Sequence, residues 1–375
     1  MNKVKAAIVG CGVISDVYLD SIKENFSIFE VVGCSDLDEN RMNSTAAKYG
    51  LKPMTYEQIL NDSEISMVIN LTSPAAHYPL TKQALEHGKH VYSEKMLAVE
   101  FEQALELCKI ADKKNVRLGC APDTFLGGGI QSAKYALEKG LIGKPLSGVI
   151  SLSRDYRVYG ENLPHLFRHG GSVMYDMGCY YLTAFASMLG PVKSVMAFGT
   201  KTEESHHVKR VSSPYYGQVI TLDDCNVITA ALEYENGVLV TLHMNSSSIA
   251  DESFHLELYG DSGILRLGDP NTFGGAVTIQ KPHNAPANLP FSHGFQEQSR
   301  GLGAAEMAWS VLADRPHRDS KEMACHVLEI VHGIFKSIES KSSYQMTTTF
   351  AKPDILPEGY IGKGFWEPEE ESALI

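Results

Sequence analysis

Through the first third of the chain, short apolar runs alternate with amphipathic stretches. Residues 5–9, 30–35, 65–71, 90–93 and 117–120 read as strands, and residues 15–25, 39–49, 76–87 and 99–113 read as helices between them. Strands separated by helical patterns of about 10–15 residues form β-α-β units, which predicts a parallel sheet with right-handed crossovers. The pattern changes after about residue 122. A helix over 127–140 leads into an extended stretch over 146–156 and a helix over 172–189 that stops at Gly190-Pro191. Closely spaced strands follow at 192–199, 226–234, 238–244, 255–260, 263–268 and 276–280. Glu235-Asn236-Gly237 and Gly260-Asp261-Ser262-Gly263 supply hairpin turns, so this part predicts an antiparallel sheet. Helices over 301–313 and 321–340 precede a Pro/Gly/Glu-rich end. The expected architecture is α/β: a parallel-sheet domain over 1–122, then an α+β domain over 123–375 built on a large, mainly antiparallel open sheet.

Length agrees, since 375 residues suit two domains at about 150 residues each. With 43% hydrophobic and 21% charged residues the chain can bury a full core, which excludes disorder. The formal charge of −12 gives no electrostatic footprint for nucleic acid or an anionic membrane. No apolar run approaches the ~20 residues of a membrane span, and the first apolar run meets glycines at once, as a buried strand does and a secretory signal does not. Seven scattered cysteines without a C-x-x-C pair suit reduced thiols, and hence a cytoplasmic location, better than disulfides or structural zinc. The acidic stretch at 367–371 is expected to be a disordered tail.

Candidate chemistry begins right after the first strand, at Gly10-Cys11-Gly12-Val13-Ile14-Ser15. Two glycines permit a tight turn and close backbone approach, and the following helix start offers free N–H groups to a pyrophosphate. Ser15 replaces the third glycine of the G-x-G-x-x-G pattern with another small residue. Glycine turns between strand and helix are common, so the second strand carries weight. It ends at Asp36, where a carboxylate would accept from both ribose hydroxyls and repel a 2′-phosphate. Asp36 competes with a bland role as a helix cap, for which Asp38 is a rival. Together these features predict a Rossmann domain binding a dinucleotide, with NAD(H) favoured over NADP(H).

The third strand runs into Thr72-Ser73-Pro74-Ala75-Ala76-His77, followed by Ala84 and Gly88-Lys89-His90-Val91-Tyr92-Ser93-Glu94-Lys95. Further on stands Gly170-Gly171-Ser172-Val173-Met174-Tyr175-Asp176-Met177-Gly178-Cys179-Tyr180. These blocks, in this order, resemble the Gfo/Idh/MocA family. The resemblance spans nearly the whole chain. It implies a two-domain NAD(P)-dependent oxidoreductase acting on sugars, cyclitols or related polyols. Two departures stand out. Met96 replaces the proline of the family's E-K-P, and an X-Pro bond is cis at little cost whereas a Lys–Met bond is not, so the resemblance alone carries no cis bond to Lys95. Tyr180 stands where many members have histidine, which changes the proton-transfer group without removing it.

On this resemblance Tyr180 is the candidate acid/base, Lys95 its pKa modifier and hydroxyl donor, and Asp176 the residue orienting substrate and Lys95. An ammonium a few ångströms away would lower tyrosine's ordinary pKa of about 10. Asp176 and Tyr180, four apart on a predicted helix, would share a face. Each has a bland rival: a surface ion pair for Lys95, a first-turn acid for Asp176, and a core ring for Tyr180. Cofactor contacts are expected from Gly10, Gly12, Val13, Ile14, Asp36, Thr72, Ser73, Pro74, His77, Glu94, Lys95 and Asp123, with His77 equally able to cap its helix. His165 and Arg168, beside Arg154, Asp155, Arg157 and His169, are candidates for substrate binding or for rim charges. His206-His207 and Asp223-Asp224 tempt a metal reading, but a Ser/Gly/Lys-rich solvated loop without ligand spacing suits them better, so no metal is expected. Asn271-Thr272-Phe273-Gly274-Gly275 reads as a turn. The expected partners are a small sugar-like molecule and further copies of the chain, in a homodimer or homotetramer formed through the C-terminal sheet. Three other readings remain: an NAD-using glycosidase of the same fold, a non-catalytic dinucleotide-sensing regulator, and a metal hydrolase.

Overall fold

A computed structural model describes residues 3–248 and 253–357. β1 (Val4–Val9) is buried at nearly every position, as a central parallel strand covered on both faces should be. It leads through Gly10-Cys11-Gly12 into α1 (Val13–Asn25). The alternation continues as β2 (Phe29–Ser35), α2 (Glu39–Tyr49), β3 (Lys52–Pro53), α3 (Tyr56–Asn61), β4 (Met67–Asn70), α4 (Pro74–Glu86), β5 (His90–Ser93), α5 (Phe101–Lys114) and β6 (Leu118–Cys120). These six strands pair in parallel in the order β3-β2-β1-β4-β5-β6. The chain leaves the adjacent strands β1 and β4 toward opposite edges, and such a switch point opens a crevice beyond the carboxyl ends of the strands. The apolar pattern does not reveal β3 and α3. β3 is two exposed residues, and α3 is a short helix started by the reciprocal capping box of Thr55 and Gln58.

A 3₁₀ turn (Thr124–Leu126) and α6 (Gly128–Glu138) lead into β7 (Pro145–Ser153) and the single turn α7 (Tyr156–Tyr159). A π-helical turn, Met174–Gly178, then runs directly into α8 (Cys179–Leu189). The remaining elements are β8 (Val192–Thr200), β9 (Ser205–His207), β10 (Val219–Thr221), β11 (Val227–Tyr234), β12 (Leu239–Asn245), β13 (Ser253–Gly260), β14 (Gly263–Arg266), β15 (Thr278–Gln280), β16 (Ala287–Asn288), α9 (Leu302–Ala313), α10 (Lys321–Ser340) and β17 (Tyr344–Gln345). Among the described residues a nine-stranded sheet runs β16-β15-β14-β13-β7-β12-β11-β8-β17. Its pairs are antiparallel except β7 with β12, which run parallel, so the sheet is mixed and mostly antiparallel. The stretch expected to be a solvated loop contains the β9–β10 hairpin instead, seated on a small apolar cluster of Phe167, Val208, Ile220 and Leu222.

Helices α8 and α10 cover one face of the large sheet. His326 Nε2 accepts from the Val192 N–H at 2.9 Å, and the Ser337 hydroxyl accepts from the Ala197 N–H at 2.9 Å. The opposite face is open and exposes Phe198 and Leu239. The last helices also hold the two sheets together. Lys321 pairs with Asp112 of α5 at 3.0 Å, and His317 Nε2 lies 3.0 Å from the Leu118 carbonyl on the edge strand β6. Among the described residues no helix is long and apolar enough to cross a membrane. The acidic stretch at 367–371 lies outside the described residues.

Candidate functional site

Two helices begin at the crevice without a side-chain cap. Gly12 precedes α1 and has no side chain to cap it, and Ser73 precedes α4 without its side chain accepting from the N–H groups behind it. Those groups are left for a ligand, which suits an anion at the positive end of each helix. Gly10 has φ +99°, and a Cβ there would sit 2.7 Å from the Leu71 backbone, so only glycine lets β1 turn this close to β4. A Cβ on Gly12 would meet nothing, so backbone faces open space there. Ser15 is buried, and its hydroxyl donates to the Gly12 carbonyl at 2.6 Å.

At the end of β2 the Asp36 carboxylate accepts from the Cys11 N–H at 2.8 Å and from the Asp38 N–H at 2.8 Å. Asp38, not Asp36, caps α2. Val13 and Leu37 are exposed on either side of Asp36 and the glycine turn, apolar surface suited to a planar ring. Leu37 had no signal in the apolar pattern. Buried Asn70 fixes the Thr72-Ser73-Pro74 turn, its Oδ1 accepting from the Thr72 hydroxyl at 2.7 Å. The buried His77 ring lies between two carbonyls, 2.8 Å from Met96 O and 2.9 Å from Thr72 O, so it ties that turn to the Lys95 loop. A dinucleotide fits this set: Gly10, Gly12, Val13 and Ile14 at the pyrophosphate turn, Asp36 at a ribose, and Thr72, Ser73 and Pro74 along the second helix start.

Beyond β5 the chain places Glu94 and Lys95. The Tyr18 hydroxyl of α1 donates to Glu94 at 2.6 Å. The Lys95–Met96 peptide bond is cis, although Met96 gave no reason to expect it. Lys95 Nζ donates to the Asp176 carboxylate at 2.8 Å and to the Asp176 carbonyl at 2.8 Å. Tyr156 donates to the other carboxylate oxygen of Asp176 at 2.7 Å. Asp176 belongs to the π-helical turn and Tyr180 to the first turn of α8, so the regular helix expected to carry both is interrupted between them. A π turn re-aims side chains within a helix and is frequent at functional sites. Lys95 Nζ lies 5.1 Å from the centroid of the Tyr180 ring.

Electrostatics follow from this packing. Burial opposes the Lys95 charge most strongly, but Asp176, Tyr180, Cys179 and Glu94 together outweigh it, and the ammonium is held well above its ordinary range. Burial likewise opposes the Asp176 charge, yet Lys95 and the Tyr156 hydroxyl bring it below the usual carboxylate value. Tyr180 departs from expectation. Burial raises its hydroxyl, Lys95 and Arg300 pull it down, and the net remains above the ordinary tyrosine value. A neighbouring lysine already paired with a carboxylate does not overcome desolvation.

Other candidates are held differently. Burial lowers the His165 pKa, opposed by Asp176 and assisted by Lys95, so His165 lies within electrostatic reach of the cluster. Arg168 is half-exposed and pairs with Asp223 at 3.2 Å, while His169 and Ser172 both bond Asp224 at 2.8 Å. The two aspartates thus brace the loop ahead of Asp176. His206 stacks on Phe167 and faces Glu161, and among the described residues no group of three or more His, Cys, Asp or Glu could hold a metal ion. Asp123 is buried, and its Oδ2 accepts from Gly301 N at 2.9 Å and Gly303 N at 3.1 Å, so it caps α9 rather than opening to the crevice. Burial pushes its carboxyl up to about 6. A surface cavity of about 430 Å³ lined by His90, Arg117, His317 and Lys321 lies at the amino ends of β5 and β6, away from this cluster.

Two residues of the cluster were not singled out as site residues from the sequence. Tyr156 ended a stretch read only as extended. Arg300 stands just ahead of the α9 N-terminus, with Nη2 3.5 Å from the Tyr180 hydroxyl. A cation there is disfavoured by the helix dipole, and that mismatch was the available clue.

Residues 4–121 match the model of the oxidoreductase family with an NAD-binding Rossmann fold, and residues 130–266 match the GFO/IDH/MocA C-terminal domain. An oxidoreductase of Schizosaccharomyces pombe is 26% identical over 208 residues, covering 52% of this chain and 54% of its own. The D-xylose dehydrogenase of Paenarthrobacter nicotinovorans is 24% identical over 290 residues, covering 70% and 72%. The chain thus spans between about half and three quarters of the length of these relatives. Levoglucosan dehydrogenase in complex with NADH and L-sorbose superposes with a TM-score of 0.80 at 15% identity, over 92% of this chain and 99% of that one, a likeness of fold. With both domain models matched in order, the chain belongs to the Gfo/Idh/MocA family of NAD-binding oxidoreductases.

Proposed function

We propose that the protein is an NAD(H)-dependent oxidoreductase that interconverts a secondary alcohol and a ketone on a sugar, cyclitol or related polyol. The observation that carries this reading is the cluster of Lys95, Asp176 and Tyr180, placed beside a crevice whose two helix starts and ribose carboxylate suit a dinucleotide. When bound, the nicotinamide cofactor supplies the acceptor or donor of hydride. The chain's own residues manage the proton. In alcohol oxidation the substrate hydroxyl gives its proton to the Tyr180 oxygen, and in ketone reduction Tyr180 returns it. Lys95, kept charged by Asp176, donates a hydrogen bond to the same substrate oxygen. Asp176, fixed by Tyr156, holds the ammonium in place. NAD(H) rather than NADP(H) is the expected cofactor, because a 2′-phosphate would face Asp36. With the domains divided at 122/123, as we propose, Lys95 and Tyr180 would stand on opposite walls of the site, and the open sheet face with Phe198 and Leu239 suits pairing of subunits.

A panel of polyols and keto-sugars, followed by the absorbance of the reduced nicotinamide with each cofactor, tests the reaction. Turnover of at least one secondary alcohol with NAD supports it. Tight NAD binding without turnover of any member of the panel would favour a dinucleotide sensor.

A further inference from the structure

On the reading that Tyr180 exchanges the proton, its hydroxyl must be deprotonated before it can take one from an alcohol. Burial opposes that form, so the cations around the ring decide how readily it is reached. Lys95 and Glu94 face Tyr180 from the loop after β5, Cys179 from its own helix, and Arg300 from the segment ahead of α9. The two cations are not equivalent. Lys95 has a carboxylate partner at 2.8 Å, and a paired charge acts on a third group as a dipole, whose field falls off faster than that of a single charge. Arg300 is held by neutral acceptors: Gln298 Oε1 at 2.9 Å, Asn271 Oδ1 at 2.9 Å and Asn271 O at 3.4 Å. Of the acids that influence its surroundings, Asp123 is committed to the Gly301 and Gly303 N–H groups, and Asp269 accepts from the Asn271 N–H. The planar guanidinium, held between Gln298 and Asn271, presents Nη2 to the Tyr180 oxygen at 3.5 Å.

We infer that Arg300 is a positioning residue for the proposed proton transfer: its guanidinium, beside Lys95, lowers the cost of deprotonating the Tyr180 oxygen, while Lys95 also serves Asp176 and the substrate. Lys95 and Arg300 thereby divide a task that the sequence assigns to Lys95 alone. Arg300 acts through Tyr180.

The test is the pH dependence of kcat for alcohol oxidation in the wild type, Arg300→Gln and Arg300→Lys, each repeated with Tyr180→Phe. An opposite charge within about 4–6 Å typically moves a titration by about 1–3 pH units, so Arg300→Gln should displace the alkaline limb upward by that order. Arg300→Lys should restore part of the displacement, and neither change should matter once Tyr180 is phenylalanine. A role confined to bracing residues 271 and 298 would lower thermal stability and rate but leave the limb in place, and that result overturns the inference. Ultraviolet titration of the phenol, taken as the difference between each protein and its Tyr180→Phe counterpart, reads the same displacement without turnover. It therefore separates failure of this inference from failure of the proposed reaction. An unchanged phenol titration in Arg300→Gln overturns the role of Arg300 even if an oxidised substrate is found.

Discussion

Lys95 keeps its charge in a confined place because Asp176 answers it, and Asp176 stays ionised because Lys95 and Tyr156 answer it in turn. Removing one member therefore leaves an uncompensated charge as well as a missing contact. Tyr180→Phe deletes only the hydroxyl and should reduce kcat by about 10²–10⁴ while the NAD dissociation constant is unchanged, as equilibrium titration would show. Native turnover in Tyr180→Phe would return the ring to the core. Because burial leaves the hydroxyl above its ordinary value of about 10, alcohol oxidation should still be accelerating at alkaline pH, and Tyr180→Phe should lose that rise. Lys95→Met should be at least as damaging, since Asp176 would then be buried without its cation. At the other end of the crevice, Asp36→Ser should weaken NAD and narrow the preference over NADP, with Arg41, 3.3 Å from Asp36, freed to meet a 2′-phosphate. A native protein that binds NADP more tightly than NAD would refute the role given to Asp36. Glycine, aspartate and lysine at motif positions were legible in the sequence because each stands in a short local motif, even though Lys95 and Asp176 meet only through the fold. Tyr156 and Arg300 were not, because they reach Asp176 and Tyr180 only through the tertiary fold.

Elements with a clear apolar period were legible nearly to the residue: β1, α1, α2 and α10 need no distant partner to declare themselves. Those stabilised in other ways were not. α3 rests on its capping box, the β9–β10 hairpin on a four-residue cluster, and the π turn on residues whose apolar pattern also fits an uninterrupted helix. The start of α9 offers a test at this scale. Buried Asp123 caps it, and its folded carboxyl titrates at about 6, above the ordinary value of about 3.9. The folded state thus holds the proton more tightly, so this contribution to stability is complete below about pH 4 and is lost as pH rises through about 6. Asp123→Asn can still accept from both N–H groups without a charge to desolvate. Its melting temperature should exceed the wild type near pH 8, with the advantage shrinking toward pH 4; an advantage that instead grows toward pH 4 would contradict the assignment. Later in α9, fully buried Glu306 accepts from Arg315 at 2.8 Å and Arg318 at 2.6 Å. Glu306→Gln leaves two guanidiniums without their carboxylate and should destabilise by about 3–5 kcal/mol, read from the shift in a urea transition.

At the scale of the whole molecule, ligand and fold are linked. A dinucleotide that binds only the native chain at 100 times its dissociation constant adds about 2.7 kcal/mol, so NAD should raise the melting temperature measurably. Gly10→Ala, whose methyl would press on the Leu71 backbone, should abolish that rise even where the variant folds. The order of strands in the large sheet has a different kind of consequence. β7 is an interior strand, yet both of its neighbours, β12 and β13, come much later in the chain. As the protein emerges from the ribosome, β7 has two bare edges until β12 has followed it out and one until residues through Gly260 have done so, whereas the parallel pairs of the first sheet can close in sequence order. Pairings between distant segments form slowly, and unpaired edges invite association with other chains. The interval between synthesis of β7 and synthesis of β13 is therefore the period in the life of the chain when it is most exposed to aggregation, and most in need of a chaperone.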